Sequence, residues 1–156
     1  MINNFEAYLT NENIYLIANW GVLPFWLMIA TIPNRPITKF LVHSIIAPLL
    51  LAIAYSFIAY KIYLDGNIFE GFNLYFGLEN LYIVYSEENF LLIFWLHFLS
   101  ISLFVGSWMA KDGQKYFIPK GLMFILLTLT YFTGPVGVFF YWFIRIFYAK
   151  KISFND

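Results

Sequence analysis

The chain has no cysteine among its 156 residues. That single absence removes disulfides, thiolate nucleophiles and every metal site that needs a Cys ligand. Charge is scarce too: 12% of residues are charged, where an ordinary soluble domain carries about 25%. The charges cancel, nine basic against nine acidic, so no basic field draws a nucleic acid. Residues Met1 to Asn13 hold Glu6 and Glu12 and no basic side chain. A signal peptide opens with positive charge, and a transit peptide is Arg-rich and poor in acids. The first apolar stretch is therefore expected to stay as a membrane span. There is no phosphate-cradling glycine loop and no nucleophile–base pair at recognisable spacing.

What fills the chain is apolar: 62% of residues are hydrophobic, more than a soluble fold of this length could hide. The expected fold is all-α, one transmembrane domain of about four spans in the bacterial inner membrane. A helix rising about 1.5 Å per residue needs about 20 apolar residues to cross the hydrocarbon. Such runs cover residues 14–32 (with Pro24 as a kink), 40–60 (with Pro48 inside) and 90–110, which ends at Lys111-Asp112-Gly113. The last run, 118–148, exceeds one crossing and is interrupted by Thr133-Gly134-Pro135. It reads as a broken or kinked fourth span, with a re-entrant segment as the alternative. Residues 68–88 read as an interfacial amphipathic helix, with Leu74, Leu78, Leu81 and Tyr85 at helical spacing and Phe69, Phe72 and Phe76 on another face. An aromatic loop capping the bundle is the other reading.

Arg35, Lys39, Lys111, Lys115 and Lys120 fall in two turns on one side of a four-span chain. The positive-inside rule places those turns in the cytoplasm and both termini outside. Arg145, Lys150 and Lys151 then lie on the wrong side, and a re-entrant last segment would move them inside. Ser102, Gly106 and Ala110 repeat every four residues, a small-residue face that lets helices approach closely.

Ionisable groups inside a span are functional candidates because hydrocarbon disfavours them. Only His43 and His97 qualify, roughly 14 Å apart along the membrane normal by helix rise. They cannot share a metal ion, and no carboxylate lies inside a span, which excludes a His-ligated iron oxygenase. His97 shares a helical face with Ser100, Phe104, Ser107 and Lys111, a narrow polar strip. It is either a neutral imidazole bonded to a neighbouring helix or a proton donor and acceptor toward a ligand. With Trp95 and Trp108, the residues Ser100, Phe104 and Ser107 are candidate ligand contacts. His43 can reach the interface. Asp112 either pairs with the basic turn and ends the helix, or joins His97 in acid–base chemistry.

The run Trp95-Leu96-His97-Phe98-Leu99, then Leu103-Phe104-Val105-Gly106 and Asp112-Gly113, resembles the signature of the abscisic acid-deficient-four-like family. Pro33 to Lys39, Ser44 to Pro48, Tyr85-Ser86 and Gly134-Pro135-Val136-Gly137 agree in order and spacing. The resemblance extends from about Leu23 to Arg145. It implies a small four-span protein of carotenoid metabolism, whose plant members are neoxanthin synthases. Their step opens the epoxide of violaxanthin and removes a ring-adjacent proton to give an allene. This isomerisation needs an acid and a base but no cofactor. His97 and Asp112 keep the family residue. Ser102 stands where the family usually has Asp, and Ser107 where bacterial members often have Arg.

Two functions follow as expectations. One is an isomerase acting on a carotenoid or related isoprenoid. The other is a non-catalytic membrane protein that binds pigment or lipid, or packs as a subunit of a larger complex. The 19 Phe, 12 Tyr and 5 Trp residues suit either. A channel is disfavoured because the spans lack a polar lining. The expected partners are membrane lipid, a carotenoid ligand and an oligomeric or membrane-complex partner, with no nucleic acid.

Overall fold

The computed structural model describes residues 9–152. In chain order the elements are α1 (Asn11–Gly21), α2 (Leu23–Thr31), α3 (Pro36–Leu41), α4 (Ile46–Leu64), a 3-10 helix (Ile68–Tyr75), α5 (Leu78–Ser86), α6 (Glu88–Lys115), α7 (Lys120–Thr133) and α8 (Pro135–Ala149). Every regular element among the described residues is helical. Three helical stretches are long and apolar enough to cross a membrane: Asn11–Thr31, Pro36–Leu64 and Glu88–Lys115. The residues gather into two compact units. One comprises residues 9–21 and Leu49–Ser100, the other Val22–Pro48 and residues 101–152.

In the first unit, Thr10 starts α1 by accepting a hydrogen bond on Oγ1 from the Asn13 amide at 3.2 Å, the usual N-cap arrangement. Glu87 does the same for α6, its Oε2 accepting from the Phe90 amide at 3.0 Å. Asn11 holds these beginnings together: its Nδ2 donates to Asn89 at 2.7 Å and its Oδ1 accepts from Lys61 Nζ at 2.8 Å. The segment read as one amphipathic helix over 68–88 is two pieces. Gly77 divides the 3-10 helix from α5 with φ +124°, a backbone that L side chains rarely adopt. Leu78 is exposed there, along with Phe69, Phe72 and Phe76, while Leu74, Leu81 and Tyr85 are half-buried.

In the second unit, α2 buries Val22 before it, then Trp26 and Ile29, at the spacing of one helix face. The helix break comes at Val22 rather than at Pro24, which sits in the first turn of α2, where a missing amide hydrogen does no harm. The span expected over 40–60 is likewise divided: residues 42–45 form a turn, with Ile45 at φ +76°, and α4 starts at Ile46 with Pro48 in its first turn. His43 therefore lies in the turn between α3 and α4, within the apolar stretch Pro36–Leu64. The polar triplet Lys111-Asp112-Gly113 does not stop α6, which continues to Lys115. A Cβ on Gly113 would meet Met123 Sδ at 2.6 Å, so this glycine lets the start of α7 lie against α6. Gly106 is used in the same way, since a Cβ there would meet the Trp26 ring at 2.6 Å.

The break at Thr133-Gly134-Pro135 is where the sequence places it, and the chain turns back there. Gly134 takes φ +56°, and its amide caps α7 by donating to Thr130 O at 2.8 Å. A Cβ on Gly137 would overlap the main chain of Thr130. In one continuous helix these residues would be about 10.5 Å apart along the axis, so α7 and α8 form a hairpin. The last apolar run, 118–148, expected as a broken or kinked helix, is two short helices folded back on one another. Each arm, of 14 and 15 residues, is about 21–22 Å long, short of the roughly 30 Å of hydrocarbon.

Candidate functional site

Every residue singled out on the third span sits on α6, but the helix delivers them to different surroundings. His97 belongs to the first unit. It is exposed, with its ring 6.3 Å from that of Tyr55. The two rings help line a groove of about 550 Å³, walled by Ile62, Phe72, Tyr85 and Phe94. The volume falls within the range of small-molecule sites, about 300–1,000 Å³, and the wall is mainly apolar and aromatic as such sites are. Tyr55, Tyr75 and Tyr85 bring phenol groups to the same groove.

Trp95 does not join it. This indole stacks on Phe98 with centroids 5.4 Å apart and lines another cavity of about 520 Å³ beside Tyr15 and Leu92. Ser100 is half-buried and Phe104 exposed. Ser107, read as part of a ligand-facing strip, is buried in the second unit and bonds His43 Nδ1 at 2.7 Å. Lys111, one turn further, donates to the His43 carbonyl at 2.8 Å. Trp108 meets Tyr141 edge to face at 5.6 Å. The strip His97, Ser100, Phe104, Ser107 and Lys111 is therefore not one surface: part is exposed and part occupied by the turn that carries His43.

Asp112, in the second unit, sits in a polar cluster that sequence reasoning missed. Its Oδ2 accepts from Arg145 Nε at 2.6 Å and from Tyr141 Oη at 2.5 Å. Arg145 Nη2 reaches Tyr116 Oη at 3.3 Å, and the guanidinium lies 4.8 Å from the Tyr116 ring centre. The Arg145 side chain is 0% exposed and that of Asp112 13%. Two pairs one helical turn apart thus interlock, Asp112 with Tyr116 on α6 and Tyr141 with Arg145 on α8. The legible signal was Arg145 itself. An arginine in so apolar a helix needs a partner, and its i−4 neighbour is a tyrosine able to share the same carboxylate.

Ser102 and Ser107 are both buried. A charge at either would have to find a partner inside the unit. Among the described residues no three His, Asp or Glu side chains converge as a metal-binding group. A family model described as ABA DEFICIENT 4-like matches residues 13–141. Comparison with curated proteins and with solved structures finds no match.

Proposed function

Because the chain belongs to the ABA DEFICIENT 4-like family, we propose that it is a membrane protein that takes a carotenoid or related isoprenoid into the His97 groove and isomerises it. The observation that carries this reading is the groove: about 550 Å³, aromatic, with an imidazole and a phenol side by side at His97 and Tyr55. An end ring would enter it while the polyene stays in the lipid. Opening an epoxide puts a proton on the oxygen as the C–O bond breaks and takes one from a neighbouring carbon. Nothing is oxidised or reduced, so the step needs only an acid and a base of suitable reach. His97 is the candidate for the proton removed and Tyr55 for hydrogen bonding to the oxygen. Asp112, already held by Arg145 and Tyr141, acts in this reading as a positioning residue that fixes α8.

The topology that fits this reading has three crossings, with α7 and α8 entering and leaving by one side. Every basic residue except Lys61 then falls on the side of the Arg35 and Lys111 turns. That asymmetry supports a cytoplasmic placement for them and for the C-terminal end.

Activity on violaxanthin tests the enzymatic reading. The chain should convert it to an allenic product, and His97→Ala should lower turnover at least about 100-fold, the scale of a lost general acid or base. His97→Gln should fail equally if a proton moves, and succeed if a hydrogen bond suffices. Undiminished turnover in His97→Ala removes the imidazole from the chemistry. The second reading, binding without turnover, is favoured by the serines at 102 and 107, and wild-type protein that retains pigment unchanged would establish it.

A further inference from the structure

Charge divides sharply between the two units. The stretches Val22–Pro48 and Ile101–Asp156 hold eight basic residues against two acids, and the rest of the chain one against seven. Of those two acids, Asp112 is taken up by Arg145 and Tyr141, and Asp156 lies outside the described residues. Packing within the second unit gathers the cations at one end. Lys111 donates to the carbonyl of His43, one turn past Lys39, and Arg35 is one turn before Lys39. Met123 lies against Gly113, which sets the start of α7, with Lys120, beside the end of α6. Arg145 reaches Asp112 and Tyr116, and so brings the end of α8, with Lys150, to the same place. Arg35, Lys39, Lys111, Lys115, Lys120 and Lys150 are all exposed. Helix ends contribute partial charges of about half a unit each, too small to cancel them.

Aromatic side chains are exposed between these cations. Phe40 follows Lys39, Phe147 precedes Lys150, and Phe117 stands 88% exposed between Lys115 and Lys120. Water disfavours such rings, and a soluble polyanion offers them no apolar cover. A lipid interface accepts both kinds of group, the cations at the phosphates and the rings just below. We propose that this end of the second unit is a docking surface for anionic phospholipids. Each cation close to an anionic headgroup layer favours it by about fivefold. A zwitterionic headgroup offers the rings the same depth but brings its own ammonium, so charge decides between the lipids. The inference rests on the second unit alone and does not depend on the His97 groove or its proposed chemistry.

The test is native mass spectrometry of the full chain released from nanodiscs holding equal parts phosphatidylcholine and phosphatidylglycerol. Phosphatidylglycerol should be retained over phosphatidylcholine by about fivefold or more. Arg35→Gln, Lys39→Gln and Lys120→Gln combined should bring that preference down to about twofold or less. Lys61→Gln removes the one basic residue of the first unit's sequence and should leave the preference unchanged. Phe117→Asn deletes the ring but suits a backbone at φ +56°. It should lower retention of both lipids while the preference survives. Melting curves of the variants confirm that they fold. Equal retention of both lipids by the natural chain would leave the basic face to an acidic protein, and overturns the proposal. So does a preference that survives intact in the triple glutamine variant, or one that disappears with Lys61→Gln.

Discussion

Asp112→Ala is expected to destabilise the protein by about 3–5 kcal/mol, the range for removing one partner of a buried ion pair. The magnitude comes from what is left behind. Arg145, 0% exposed, would keep its charge without the carboxylate that compensates it. Tyr141 would lose the acceptor for its hydroxyl at the same stroke. A surface pair would be worth about 1 kcal/mol or less, so unfolding in detergent separates the two cases clearly. Asp112→Leu combined with Arg145→Met should recover most of the loss, because it removes both charges and leaves apolar groups of similar size. A single-variant loss below about 1 kcal/mol would show that the cluster is solvated.

Gly137→Ala should be nearly as damaging. Overpacking usually costs about 1–3 kcal/mol, because a neighbouring side chain can swing aside. Here the added methyl would overlap the main chain of Thr130, which has no rotamer to change. The upper end of that range, about 3 kcal/mol, is therefore expected. Gly137, Tyr141 and Arg145 fall on one face of α8 and are all buried, so opening the hairpin at Gly137 also pulls the clamp from Asp112. Gly121→Ala is the control. A Cβ there meets nothing within 4 Å, and alanine is the better helix former by about 1 kcal/mol. It should be neutral or slightly stabilising. Equal melting temperatures for the two variants would contradict the hairpin contact.

These two sites show where sequence reasoning succeeds and where it stops. The apolar runs report length, and length located the long helices, because only about 20 apolar residues reach across the hydrocarbon. Hydropathy carries no direction, however. Residues 118–148 are as oily in a hairpin as in a straight helix, and the deciding signal is the small residue at 137, whose role emerges only when Thr130 lies opposite. Arg145 was legible as an anomaly, but a straight helix over 118–148 offered it no partner. With α8 turned back, Arg145 meets Asp112, which the sequence had offered as a catalytic residue. A helical wheel groups residues by angle but not by neighbour, so it joined His97 to Ser107. The turn that breaks α3 from α4 brings His43 onto Ser107 and leaves His97 to the groove. That turn has no strong sequence mark: Ile45, at φ +76°, is a branched residue in a conformation such residues seldom take.

If an isoprenoid occupies the groove between Tyr55 and His97, the protein should retain pigment there through purification. The chain and its Ala59→Trp variant would be purified from carotenoid-producing cells, and the bound polyene extracted and quantified per protein. Ala59 lines the groove, and an indole in its place fills the space an end ring would take without touching His97 chemistry. The natural chain should carry near-stoichiometric polyene, and Ala59→Trp should lose most of it at an unchanged melting temperature. Equal pigment on both proteins would place the ligand outside this groove and refute its role.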